Sequence, residues 1–174
     1  VILLTRDIRD TLVSYYHQVA TRNHEFSGTL SAFIRDERFG ALKLALFYKA
    51  WHDGQQLPAH LVLIRYEDMR ADMANAVRAM LPLLKMEDVS ADLIAQAVDA
   101  GGFDRMRQVE QSGAHSFQGL NQPDADINAA RVRKGKVGGY RDDLTPADLA
   151  YIDDVVAQVG VPRAWVYYPL EITP

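Results

Sequence analysis

Residues 1–18 read VILLTRDIRDTLVSYYHQ, and the fold follows from how this stretch is parsed. Val1 to Thr5 form an unbroken apolar or β-branched run, too short for an amphipathic helix and suited to a strand buried on both faces. Arg6 then falls at the end of a parallel strand, the edge at which open α/β sheets bind ligands. Asp7 is expected to cap the helix that follows, with Asp10 in its first turn and Ile8, Leu12, Tyr15 and Val19 as its apolar stripe. Ser14 lies off that stripe, two turns from Arg6. A guanidinium and a hydroxyl facing one crevice suit an anionic group such as a phosphate. An ordinary ion pair of Arg6 with Asp7 or Asp10, beside a solvated Ser14, fits the same spacing.

The pattern repeats at HLVLIRY, residues 60–66. Leu61 to Arg65 predicts a second buried strand, followed by Glu67-Asp68-Met69 and a helix from about Ala71 to Leu84. A strand, helices and a second strand in succession imply a crossover and a mainly parallel sheet. Tyr66 at the strand end can stack on a base or donate a hydrogen bond; as a half-buried strand-end tyrosine it needs neither. Adjacent Glu67 and Asp68 point apart, so they are read as helix-start and loop-ordering groups rather than an acid/base pair.

Between the strands, Thr21 to Gly28 predicts a surface loop, and Thr29 or Ser31 caps a short helix carrying Leu30, Phe33 and Ile34. Phe39-Gly40 breaks it. Ala41 to His52 is apolar nearly all round and is expected to be buried on most sides. Phe26, Phe33, Phe39, Tyr48 and Trp51 are read as core rather than as an acceptor pocket.

Beyond the second strand, Pro82 to Val89 connects to a helix capped by Ser90 and ending near Ala100. Gly101-Gly102 follows, then a short helix from Phe103 to Gln111 and a long polar loop, Ser112 to Ala130. Arg131 to Lys136 holds four basic residues within six, in a chain of net charge −4. Clustered cations among glycines can converge on a phosphate, or can be a solvated run. Thr145, Pro146 and Asp148 predict a capping box for a helix with a Leu149, Ile152, Val155, Val156 and Val159 stripe ending at Gly160. Trp165 to Pro174 is an aromatic tail.

At 174 residues, 48% hydrophobic and 24% charged, the chain is globular and of single-domain size. Its acidic balance excludes general nucleic-acid binding, which rests on a basic surplus. The absence of cysteine excludes disulfides, thiolate metal sites and a cysteine nucleophile. The histidines show no metal-ligand spacing. No apolar run reaches membrane-span length, and a cytoplasmic location is expected.

Three segments resemble the sulfotransferase family. RDIRDTLVSYYHQ is similar to the segment that holds the 3′-phosphate of the donor 3′-phosphoadenosine 5′-phosphosulfate (PAPS), through Arg6, Arg9-Asp10, Ser14 and Tyr15-Tyr16. LVLIRYEDM resembles the strand and Tyr-Glu-Asp turn whose tyrosine, here Tyr66, contacts the adenine. Arg133-Lys134-Gly135, followed by Gly138 and an aromatic, resembles the loop that closes over the 3′-phosphate, with Gly139-Tyr140 in place of the commoner acidic-aromatic pair. Phe103 and Met106 match a phenylalanine that packs on the adenine in the family and a methionine three residues later, although Gly101 and Gly102 lack the hydroxyls usual before them. The dimer motif of many cytosolic members is not matched at Arg141, Thr145-Pro146 and Ala150.

The resemblance implies an α/β fold of the P-loop nucleotide-kinase-like type, a parallel sheet with helices on both faces. It implies transfer of a sulfuryl group from PAPS to an acceptor hydroxyl or amine, on a small molecule or glycan, without a metal. The donor-binding residues it implies are Arg6, Ser14, Tyr66, Phe103, Arg133, Lys134 and Gly135. The family's phosphate-cradling loop and catalytic histidine precede its equivalent of Val1, so no catalytic residue is assigned. Residues 1–174 are expected to be the C-terminal portion of a single sulfotransferase domain, partnered by an N-terminal portion. A kinase-like or non-catalytic nucleotide-binding module and a helical interaction domain are the alternatives.

Overall fold

The computed structural model describes residues 1–102, 105, 108 and 136–168. Phe103, Arg133, Lys134 and Gly135 lie outside the described residues, as do His115, the polar loop of 112–130 and all but Arg105 and Gln108 of the helix expected over 103–111.

The described elements are β1 (Ile2–Thr5), α1 (Ile8–Tyr16), α2 (Leu30–Arg35), α3 (Ala41–Asp53), β2 (Val62–Arg65), α4 (Tyr66–Ala71), α5 (Met73–Met80), α6 (Ala91–Ala100), α7 (Pro146–Val159) and α8 (Arg163–Val166). The strands pair in parallel, with Ile2 opposite Val62, Leu3 opposite Leu63, Leu4 opposite Ile64 and Thr5 opposite Arg65. Residues paired in this way share a face of the sheet. On one face Leu3 and Thr5 are buried while Leu63 is exposed; on the other Ile64 is buried while Ile2 and Leu4 are exposed. Cover therefore lies on opposite faces of the two strands, the arrangement of an α/β sheet clothed on both sides. The expectation that the first strand is buried on both faces fails, because Ile2 and Leu4 are 39% and 53% exposed.

The chain divides into two compact units, Val1–Glu67 with Val137–Pro174, and Asp68–Lys136. In the first, Asp7 caps α1 by accepting from the Arg9 N–H at 2.9 Å. The helix continues as a π-helical turn, His17–Arg22, so the predicted loop at Thr21 starts later. Thr29 is the cap of α2, and Ser31 donates instead to Asp148 at 2.9 Å. Gly40 precedes α3 where no other residue fits, since a Cβ would sit 2.3 Å from the Ile34 carbonyl oxygen.

Only one face of α3, Ala41, Ala45 and Tyr48, is buried, and Leu42, Leu46 and Phe47 are exposed. The expected all-round burial is thus corrected: the small alanines let α7 pack closely on one side, and the bulkier residues point away. The predicted capping box of α7 forms, and Ile152, Val155 and Val156 join Ile8, Leu12 and Ile34 in the main core. A second cluster holds Val19, Phe33 and Phe39 against Tyr15, Tyr16 and Phe26, with the Phe33 and Phe39 rings stacked at 5.7 Å. These aromatics are core, as expected.

In the second unit the helix expected from about Ala71 to Leu84 is found as α5, Met73–Met80, shorter than expected and preceded by the separate α4. Asp72 leaves helical geometry at φ −145° and accepts from the Asn75 N–H at 2.9 Å, so α4 ends and α5 is capped anew. A 3-10 turn follows at Pro82–Leu84. Ser90 caps α6 through the Leu93 N–H, and α6 packs on α5 with Ile94 and Ala76 buried.

Candidate functional site: the end of the first strand

The turn from β1 into α1 is clamped from two sides. The Tyr48 hydroxyl, from α3, donates to the Arg6 carbonyl at 2.6 Å and accepts from the Arg6 N–H at 3.4 Å. Burial pushes the Tyr48 phenol above its usual range despite lowering hydrogen bonds with Thr11 and Arg6, so the hydroxyl stays a donor. Glu67, at the start of α4 and only 2% exposed, accepts the Asp7 N–H at 2.8 Å. Glu67 orders the loop, as its sequence position predicts.

These backbone bonds aim the Arg6 side chain. Its Nη2 lies 3.8 Å from Asp10 Oδ2, and its Cζ stands 4.4 Å from the centre of the Tyr66 ring. The side chain is 25% exposed, so the guanidinium, held between a carboxylate and an aromatic face, still reaches solvent at the strand end. Such a cation can take an oxyanion with little loss of side-chain freedom on binding. Of the two pairings open from sequence, Arg6 takes Asp10.

Asp10 does more than balance Arg6. Its Oδ1 accepts the Tyr140 N–H and its Oδ2 the Gly138 N–H, each at 2.8 Å. Gly138 has φ +72°, a left-handed conformation that glycine adopts at little cost. Ser14 stands four residues beyond Asp10 on α1 and is exposed; that spacing puts it on the same ridge, roughly 6 Å further along the axis.

Arg9 has a different task. Its Nε and Nη2 donate to the two Asp7 oxygens at 2.9 and 2.7 Å, and its guanidinium is stacked 4.2 Å from the Tyr140 ring and 4.7 Å from the Tyr167 ring. It ties α1 to the C-terminal segment, where the Tyr168 N–H also reaches Asp7.

The structure thus brings Arg6 and Tyr66 together and sets Ser14 on the same helical ridge as Asp10; Phe103, Arg133, Lys134 and Gly135 fall outside the described residues. Sequence reasoning missed Tyr48 and the Asp10 bonds to Gly138 and Tyr140. The spacing of Asp10 from Arg6 was a usable signal, but its backbone partners lie 128 and 130 residues away. Among the described residues no group of acidic, histidine or cysteine side chains could hold a metal ion, and no helix is long and apolar enough to cross a membrane.

Comparison with known proteins identifies the family. The family model described as the sulfotransferase domain matches residues 1–160. Cytosolic sulfotransferase 6 of Arabidopsis thaliana is 20% identical over 168 residues, 91% of this chain and 50% of that protein. Sulfotransferase 4A1 of Mus musculus is 28% identical over 163 residues, 87% of this chain and 50% of that one. The chain thus spans about half the length of these relatives. A crystal structure of mouse sulfotransferase SULT7A1 complexed with PAP superposes with a TM-score of 0.68 at 18% identity, covering 91% of this chain and 57% of the other, which establishes a shared fold. With its strand-end arginine, its parallel sheet and a family match over residues 1–160, the chain belongs to the sulfotransferase domain family.

Proposed function

We propose that this protein carries the donor-binding part of a sulfotransferase, which moves a sulfuryl group from PAPS to a hydroxyl or amine of a small-molecule or glycan acceptor. The observation that carries this reading is Arg6, seated at a parallel strand end between Asp10 and Tyr66 and partly open to solvent. In this reading Arg6 and Ser14 hold the 3′-phosphate together with Arg133, Lys134 and the backbone of Gly135, and Tyr66 and Phe103 take the adenine. The Tyr66 face turned to Arg6 is already occupied, so the base would use its other face or its edge. Family membership and the PAP complex of the mouse relative support the reading.

In the proposed reaction the bond from sulfur to the donor's bridging phosphate oxygen breaks as a bond from sulfur to the acceptor oxygen or nitrogen forms. The acceptor proton passes to a base, and 3′-phosphoadenosine 5′-phosphate leaves. Residues 1–174 then act as the C-terminal portion of one domain whose N-terminal portion supplies the base and the phosphate-cradling loop. The half-length match to the relatives and the exposed apolar face of Ile2 and Leu4 support this. The names of the cytosolic relatives support a cytoplasmic location.

The test is titration calorimetry on the intact protein with 3′-phosphoadenosine 5′-phosphate and with ATP, which lacks the 3′-phosphate. The 3′-phosphorylated nucleotide is expected to bind more tightly, and Arg6→Ala to weaken it about tenfold or more through loss of charge-assisted bonds. Equal affinity for the two nucleotides, or an Arg6→Ala variant that binds like wild type, refutes the proposal and favours a kinase-like or non-catalytic module.

A further inference from the structure

A buried carboxylate beside an arginine meant for an anion is a liability, since it repels the ligand that the arginine is there to attract. Asp10 is 3% exposed and stands 3.8 Å from the Arg6 guanidinium, so its presence needs a reason. The reason lies on its other side. Gly138 and Tyr140 direct their N–H groups at the two carboxylate oxygens, and the left-handed Gly138 begins the turn that makes both converge. Tyr140 is itself buried beneath the Arg9 guanidinium. Asp10 Oδ2 is therefore shared between the Gly138 N–H and Arg6, and Oδ1 is engaged by Tyr140.

We infer that Asp10 is a positioning residue for recognition of the 3′-phosphate: it fixes the Arg6 guanidinium and the Gly138–Tyr140 turn to one carboxylate, so that both are set before the donor arrives. This inference rests on the donor-binding reading above. The two backbone donors offset part of the negative charge, which lowers the repulsion felt by an incoming phosphate. What is left orients Nη2 and so fixes the direction in which the guanidinium meets the ligand. Asparagine cannot replace this group, because its amide nitrogen would point a donor at the Gly138 or the Tyr140 N–H, and the counter-charge of Arg6 would be lost.

The test compares Asp10→Asn with wild type in the intact protein, measuring affinity for 3′-phosphoadenosine 5′-phosphate and for adenosine 5′-monophosphate. The variant is expected to bind the 3′-phosphorylated nucleotide about tenfold more weakly or worse while the monophosphate changes by less than about twofold, and amide exchange at Gly138 and Tyr140 is expected to accelerate. In an Arg6→Ala background the same change is expected to cost little further affinity, since the two residues act through one contact. If Asp10→Asn does not fold, Asp10→Glu carries the same expectation, because its longer arm displaces both turn and guanidinium. Equal weakening for both nucleotides marks a merely structural role and overturns the inference, as does full additivity with Arg6→Ala. Wild-type protein that binds both nucleotides alike refutes the donor reading itself. Wild type with a strong 3′-phosphate preference that the Asn variant retains refutes only the part given to Asp10.

Discussion

Replacing Asp148 by asparagine tests the junction of α2 and α7, and the outcome can be worked from the geometry. Asp148 Oδ2 accepts from the Thr145 N–H at 3.2 Å, the Thr145 hydroxyl at 2.7 Å and the Ser31 hydroxyl at 2.9 Å, while Oδ1 accepts from Arg35 Nη1 at 2.6 Å. Burial alone would raise its pKa, but the bonds from Thr145, Arg35 and Ser31 win and bring it from 3.8 to about 2. A depression of this size corresponds to about 2 kcal/mol of stability carried by the ionised form. Because the folded value is the lower one, that stability is fully present above about pH 4 and is lost as the pH falls towards about 2. Asparagine keeps one acceptor oxygen but turns a donor toward Arg35 or Thr145. Asp148→Asn is therefore expected to lose about 2 kcal/mol near neutral pH in urea unfolding, and the gap to wild type is expected to narrow steadily below about pH 4. A variant within about 0.5 kcal/mol of wild type at neutral pH would refute the reasoning. So would a gap that persists unchanged in acid.

Tyr48→Phe removes the hydroxyl on the Arg6 carbonyl and is expected to cost about 1–3 kcal/mol, with weaker binding of the 3′-phosphorylated nucleotide in the same calorimetric assay. Glu67→Ala is expected to cost a similar amount by stranding the Asp7 N–H, whereas Glu67→Gln, whose amide oxygen can still accept it, is expected to lie closer to wild type. Phe33→Ala, which removes a fully buried ring from the aromatic cluster, is expected to lower stability by about 3–5 kcal/mol by denaturant titration. If an N-terminal portion of the domain covers the Leu4 face, Leu4→Asp destabilises the intact protein by more than about 2 kcal/mol; near-neutrality refutes that cover.

Local rules made much of this chain readable. Asp7, Thr29, Ser90 and Thr145 each cap the helix that follows, because a cap is decided within three residues of sequence. The strand at residues 62–65 and its parallel pairing followed from hydrophobic continuity and the crossover rule. Legibility failed where two solutions satisfied one pattern. A helix is expected to start near Ala71, whereas α4 already starts at Tyr66 and the Asp72 side chain, accepting from Asn75, caps α5 as a second helix. Around α3 the apolar residues gave no direction, since the face that is buried depends on the alanines that admit α7. In the candidate site Arg6 and Tyr66 were legible as strand ends. The partners that fix Arg6 were not: Tyr48 is 42 residues away, and nothing in a helical tyrosine tells which backbone group its hydroxyl will meet.

The bonds from Asp10 to Gly138 and Tyr140 have a consequence for the order in which the polypeptide matures. Sequence separations of 128 and 130 residues make these among the most distant pairings along the chain, and distant pairings close late in folding. A chain that stops short of Gly138 offers neither of the two backbone donors that the Asp10 carboxylate takes from that turn. The surroundings of Arg6 are therefore complete only once the Gly138–Tyr140 turn has closed onto α1.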